Sequence, residues 1–213
     1  PPLLVTVIFK LLSFSFTKKD MSFDNLSEGE KLSNSLASMG TTFIKLGQFL
    51  ATRPDIIGDK LSKELENLQD KLPPFSQSKA KEMIRNDLGD EIYNSIINIS
   101  EPVAAASIAQ VHKAQIDDNG VIKDVAIKIL RPDIKKIFNE EVDALMLFAF
   151  IIESLIKKTK RLKLVEVVFL LKEITSLEMD LRFEAAAANE YAENTKNDLG
   201  FEVPKIYWDY TSE

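Results

Sequence analysis

Lys128 closes the tetrapeptide "VAIK", where a cation sits among alternating apolar residues on a segment that reads as a strand. A lysine so placed can pair the phosphates of a nucleotide while a carboxylate on a later helix holds it in position. Upstream lies "EPVAAASIAQVHKAQ", residues 101–115. Its Ala104, Ala106, Ala109 and Val111 fall on the G-x-G-x-x-G-x-V spacing of a loop that covers nucleotide phosphates, with alanine for every glycine. A Cβ at these positions restricts positive φ and keeps the backbone from approaching a phosphate as closely as glycine allows. The stretch is either a nucleotide loop remodelled to hold its ligand differently or an alanine-rich run that matches the spacing by chance.

Carboxylates that could partner the lysine stand in "LEMDLRFEAAAANE" as Glu178, Asp180 and Glu184. On one continuous helix Asp180 and Glu184 share a face, and Glu178 lies about 200° from Asp180 around the axis. The plain alternative is a solvated helix with a Glu178–Arg182 pair, worth a few tenths of a kcal/mol. Against it, the alanines at 185–188 suit a helix packed tightly against something.

Other chemistries are excluded by composition. There is no cysteine and only one histidine, so disulfides, thiol catalysis and cysteine- or histidine-rich metal sites are absent. His112 reads as a strand residue without a catalytic role. The formal charge of −6 argues against a nucleic-acid partner, although Lys157, Lys158, Lys160, Arg161 and Lys163 make a locally basic stretch. "DLG" occurs at 87–89 and 198–200, each after a helical run, where a glycine C-cap explains it.

The elements that must position these residues come in two textures. Residues 24–98 read as helices: Ser27 with Glu30 forms a capping box for a helix through Met39, and Thr42–Ala51 continues with Phe43, Leu46 and Leu50 on one face. A further helix spans 59–71, Pro73 and Pro74 stop it, and Ser76 or Ser78 starts another that ends near Gly89. After Ser100, two β-rich runs flank "DDNG" and predict a hairpin. In its second strand Val125, Ile127 and Ile129 alternate with Lys128, which puts the lysine on the opposite face. "ALMLFAFII", residues 144–152, is apolar all round and reads either as a buried helix or as one that touches lipid. A long helix follows from about Leu164 to Asn197, and "FEVPKIYWDY" reads as a last strand. The opening "PPLLVTVIFKLLSFSF" is too short to span a bilayer, and reads as a helix lying on a membrane or on the domain.

Taken together, the sequence resembles the UbiB/ADCK family of atypical protein-kinase-like proteins, which is linked to ubiquinone biosynthesis. "FIKLGQFLATRPDII" carries its K-x-G-Q motif as Lys45, Gly47 and Gln48. The alanine-rich loop, the VAIK lysine and the E-x-D motif, Glu178 and Asp180, follow in order. The resemblance implies an α+β fold: a kinase-like N-lobe over 99–213, with a small antiparallel sheet and an αC-like helix, and a helical extension over 1–98. It implies that ATP or ADP with magnesium is held by Ala104, Ala105, Ala106, Ser107 and Lys128, with Glu184 as the partner of the lysine. Lys45, Gly47 and Gln48 would face Glu178 and Asp180, so that the extension covers the place where ordinary kinases take protein substrates. The H-R-D and D-F-G motifs of a catalytic lobe are not found. With Pro1 at one end and "TSE" at the other, the chain is expected to be a fragment whose metal ligands lie in an absent C-lobe. The implied partners are nucleotide and either membrane lipid or proteins of ubiquinone biosynthesis, with a peripheral location on the cytoplasmic side of the inner membrane. A non-catalytic module that binds lipid or a partner protein through its helices is the alternative.

Overall fold

The computed structural model describes residues 26–66, 68 and 72–212; the apolar opening at 1–16 lies outside them. The chain divides into two compact units that alternate along the sequence, 1–71 with 135–173 and 72–134 with 174–213.

In the first unit, α1 (Glu28–Met39) starts at the expected capping box. The Glu30 N–H donates to Ser27 Oγ at 3.1 Å and the Ser27 N–H to Glu30 Oε2 at 2.7 Å. Gly40, at φ +108°, makes the corner into α2 (Thr41–Ala51). Pro54 opens α3 (Pro54–Ile57), where its missing N–H costs nothing, and α4 (Asp59–Leu65) follows. Leu36, Ile44, Leu50, Ile57, Leu61 and Leu65 form the core of these helices. Helix α4 stops at Leu65 rather than at residue 71; Leu68 is buried, and 67 and 69–71 lie outside the described residues.

The unit continues through α6 (Ile134–Leu155), a 3₁₀ turn (Lys157–Leu162) and the part of α7 (Leu164–Glu178) that ends at Glu173; the last turn of α7 belongs to the second unit. Helix α6 buries Phe138, Val142 and Ala149 along one face. Leu147, Phe148, Phe150 and Leu155 are more than half exposed, so the run at 144–152 is buried on one face only. Among the described residues no helix is long and apolar enough to cross a membrane.

The second unit is built on a sheet. Strands β3 (Ala109–Asp118) and β4 (Val121–Leu130) pair antiparallel over all ten residues, from Ala109–Leu130 to Asp118–Val121. Asn119 and Gly120 both take positive φ in the turn, and the Gly120 N–H donates to Asp117 Oδ1 at 2.6 Å. These are the dihedrals that a two-residue hairpin turn needs to match strand twist. On the other edge of β3, β1 (Ile96–Ile97) lies opposite Gln115–Ile116 and β2 (Pro102–Ala105) opposite Gln110–His112. The register slips at Val103, between the pairs made by Pro102 and Ala104.

Helix α5 (Gln77–Ser95), which the sequence reading puts in the helical extension, belongs to this unit and packs on the sheet. Its Ala80 and Ile84 meet Ile99, Ala114 and Ile129, with Val125 and Ile127 beside them. The Val125–Ile127–Ile129 stripe is thus the covered face, and Lys128 stands on the other. Gly89, at φ +81° and ψ 165°, leaves helical geometry where a helix end is expected, and a second helical stretch runs on from it to Ser95.

Two expected elements are corrected. Residues 201–207 form no strand, and only a 3₁₀ turn (Trp208–Tyr210) follows. Pro204 cannot donate to a ladder, and side chains hold the segment instead: Lys205 Nζ lies 2.9 Å from Asp118 Oδ2, and Tyr207 Oη donates to the same oxygen at 3.3 Å. The long helix over 164–197 is two helices, α7 and α8 (Leu181–Thr195), broken at Met179–Asp180.

Candidate functional site

Ala104 on β2 pairs with Val111 on β3, and Val111 with Lys128 on β4. The three therefore form one row across the sheet, on the face away from α5, with the alanine and lysine backbones about 10 Å apart at ordinary strand spacing. From this row Lys128 Nζ reaches Glu184 Oε2 at 2.5 Å. The lysine side chain is 39% exposed and the glutamate 61%, so the pair is open to solvent on one side. Such a pair adds little stability, but it ties the lysine of this row to α8.

Glu184 stands one turn into α8, and the helix break decides where that turn is. Asp180 leaves helical geometry at φ −114° and ψ 99°, and its Oδ1 accepts the Arg182 N–H at 3.1 Å as the N-cap of α8. A short carboxylate that satisfies an orphan N–H is worth more at a helix start than inside one. Asp180 and Glu184 therefore do not share a face of one continuous helix. The Arg182 guanidinium makes two hydrogen bonds to Asp180, of 2.9 and 2.7 Å. The alanines 185–188 are not a packed seam either: Ala186 and Ala187 are exposed, and no residue of α8 is buried.

The alanine loop is the turn from β2 into β3. The Ala106 N–H donates to the Ala109 carbonyl at 2.8 Å, and Ser107, Ile108 and Ala109 are buried beneath it. Ala104 and Ala105 lie at the end of β2.

Behind the loop runs a buried polar chain that spacing alone does not reveal. The Phe75 N–H donates to Gln110 Oε1 at 3.0 Å, and Gln110 Nε2 donates to the Phe75 carbonyl at 3.2 Å and to His112 Nε2 at 2.8 Å. His112 Nδ1 in turn donates to the Ser100 carbonyl at 2.7 Å, which makes the imidazole a neutral Nδ1–H tautomer. Both side chains are fully buried, and His112 lies on β3, the strand placement expected for it.

Lys45, Gly47 and Gln48 lie on α2 in the first unit, with Gly47 buried and the two side chains half-buried. The glycine has a local reason. A Cβ on it would come within 2.9 Å of Leu36 Cδ1 and closer still to Leu68. Glu178 and Asp180 lie in the second unit.

The ABC1 atypical kinase-like domain matches residues 67–213, more than half of the chain. This chain belongs to the ABC1 atypical kinase-like family. Among curated relatives, the probable protein kinase UbiB of Marinobacter nauticus is 37% identical over 87% of this chain and 34% of its own length. That of Tolumonas auensis is 37% identical over 88% and 34%, and that of Cellvibrio japonicus 35% over 87% and 33%. The chain thus spans about a third of the length of these relatives. No solved structure matches it.

As an ABC1 member the chain is a kinase-like N-lobe with a helical extension: helices plus a small antiparallel sheet carrying the alanine loop and Lys128. Of the expected phosphate-binding groups, the Lys128 ammonium is partly exposed, while the Ala106 N–H is taken by the Ala109 carbonyl and Ser107 is buried. No group of three acidic or histidine side chains that could hold a metal occurs among the described residues. The first unit has a cleft of its own, lined in part by Arg53, Asp55, Arg161, Lys163 and Phe169, which contains none of the expected site residues. Arg131, beside the alanine loop, is a residue that the sequence offered no reason to single out. Its guanidinium donates to the carbonyls of Ala106, Pro73 and Leu72, and backbone acceptors leave no trace in side-chain spacing.

Proposed function

We propose that this chain is the nucleotide-gripping part of a UbiB-type atypical kinase or ATPase that supports ubiquinone biosynthesis. In this reading the alanine loop, Ala104–Ser107, and Lys128 hold ATP or ADP with magnesium. The observation that carries it is the Lys128–Glu184 pair at 2.5 Å, on the row that starts at Ala104. A lysine fixed by a carboxylate on a following helix is the arrangement by which kinases orient the phosphates, and the family supplies the context. The loop differs from a glycine flap because its tip is buried and its positions carry methyl groups, so it grips in one shape. The metal ligands would come from a further part of the protein. The deciding experiment is calorimetric titration with MgATP and MgADP of the wild-type chain and Lys128→Ala. Binding that the substitution weakens tenfold or more supports the reading, and equal affinity in both sinks the assignment of the lysine.

A second reading, a module that acts through its helices on membrane lipid or a partner protein, draws on Leu147, Phe148, Phe150 and Leu155, all exposed on α6. It fits a peripheral place on the cytoplasmic side of the inner membrane. Flotation with liposomes in the absence of nucleotide tests it.

A further inference from the structure

Arg131 follows β4 by one residue and stands three beyond Lys128. Its Nε and Nη2 both donate to the Ala106 carbonyl, at 3.0 and 2.8 Å. Nη1 donates to the Pro73 carbonyl at 2.9 Å and Nη2 to that of Leu72 at 3.3 Å. Its backbone N–H closes the same turn on the Ile108 carbonyl at 2.8 Å. One side chain therefore joins the tip of the alanine loop, the end of β4 and the segment before α5.

The peptide unit is planar and trans, so its C=O and the following N–H point in opposite directions. Fixing the Ala106 carbonyl therefore also fixes the direction of the Ser107 N–H. Where glycines would leave these planes free to turn, the alanine methyl groups narrow the choice and the guanidinium selects one orientation. Only a planar fork of N–H donors can serve three carbonyls from one fixed plane; an ammonium group on a flexible stem cannot.

We propose that Arg131 is a positioning residue for nucleotide binding: by holding the Ala106 carbonyl against the Leu72–Pro73 segment it presets the shape in which the alanine loop meets phosphate. This rests on the reading of the loop as a nucleotide site. The residue touches no ligand itself; it acts through the loop.

The test uses the full chain as wild type, Arg131→Lys and Arg131→Gln, with MgATP and MgADP calorimetry and amide hydrogen exchange on each. Both variants are expected to weaken nucleotide affinity tenfold or more, with faster exchange confined to residues 104–108 and protection in 109–130 kept. Should Arg131→Gln fail to fold, Arg131→Lys carries the test, since it retains the charge and most of the aliphatic stem. Affinity within twofold of wild type in Arg131→Lys overturns the proposal, because charge alone would then suffice. Exchange that rises equally through the β3–β4 hairpin overturns it as well, because the arginine would then hold up the fold rather than the loop. If the wild-type chain binds neither nucleotide, the reading of the site falls and this inference with it. Nucleotide binding that ignores both variants refutes this inference alone.

Discussion

Glu184 meets Lys128 at 2.5 Å from a helix that buries none of its own side chains. The ion pair is thus a direct tie between α8 and the sheet, and its worth lies in where it holds the two groups. A solvent-exposed pair contributes at most about 1 kcal/mol. Lys128→Ala should therefore leave the melting temperature nearly unchanged while lowering MgATP affinity at least tenfold. Calorimetry beside a thermal melt of the same sample separates the two effects. A large fall in melting temperature would show the lysine to be structural.

Gly47→Ala sets two effects against each other. A helical alanine gains about 0.5–1 kcal/mol over glycine, while overpacking a core costs about 1–3 kcal/mol. Leu36 is 2% exposed and Leu68 6%, so neither has free space into which to retreat. The clash should win, for a net loss of about 1–2 kcal/mol read as a lower urea midpoint. A stabilised variant would mean that these leucines give way more easily than their burial suggests.

Removing Gln110 strands two partners at once. Gln110→Leu leaves the Phe75 N–H and carbonyl unmatched, along with the inward nitrogen of His112. An unsatisfied buried group costs about 1–3 kcal/mol, so a loss of about 3 kcal/mol is expected in chemical denaturation. A loss under about 1 kcal/mol would indicate that water replaces the amide.

Asp180→Ala removes the N-cap of α8 and should cost about 1 kcal/mol. Asp180→Asn keeps an acceptor oxygen and should recover most of the loss. Helicity followed by circular dichroism through denaturation distinguishes the pair. Equal loss in both variants would assign the effect to the ion pair with Arg182 instead.

The clamp between Lys205 and Asp118 sets a pH window. The hydrogen bond from Lys205 holds the Asp118 carboxyl below the usual aspartate range, and Asp118 raises the lysine above its own usual value. A lowered carboxyl stabilises the fold above its unfolded pKa, and that contribution disappears as pH falls through the folded one. A raised ammonium stabilises below its unfolded pKa, and that contribution disappears as pH rises through the folded one. The segment at 201–210 should stay docked on the hairpin between roughly pH 4 and pH 10 and loosen outside that range. Tryptophan fluorescence from Trp208 across a pH titration reports it, and Asp118→Asn should flatten the profile. An identical profile in that variant would remove the clamp from the account.

The hairpin could be read from the sequence because its turn residues carry their own conformation: Asn119 and Gly120 sit between two runs of period two. The face that Lys128 occupies followed from the same alternation. The partner of that lysine did not, since spacing alone leaves Glu178, Asp180 and Glu184 equally eligible. Only the family resemblance singled out Glu184. The break at Met179–Asp180 was hidden because aspartate is tolerated inside a helix and preferred at the start of one, and the apolar period runs through both helices. The strand expected at 201–207 looked right in composition, but a strand also needs an edge to join. Gln110 and Arg131 were invisible for a common reason. Their partners are backbone groups of Leu72, Pro73, Phe75 and Ala106, and chain-distant backbone positions are encoded only by the finished fold.

Strand β4 pairs with β3 alone among the described residues, which leaves one side of the sheet uncapped. Ten residues of hydrogen-bonding backbone, about 33 Å at ordinary strand rise, run along that rim. At its turn end Val121 and Ile122 are both more than half exposed. Such a rim invites any extended segment to add on, and the charged side chains of Lys123, Asp124 and Lys128 are what blunts it. The charge that meets Glu184 near one end of the strand thus belongs to a series that keeps neighbouring molecules from stacking on the other, and neutralising it would show first as turbidity in concentrated solution.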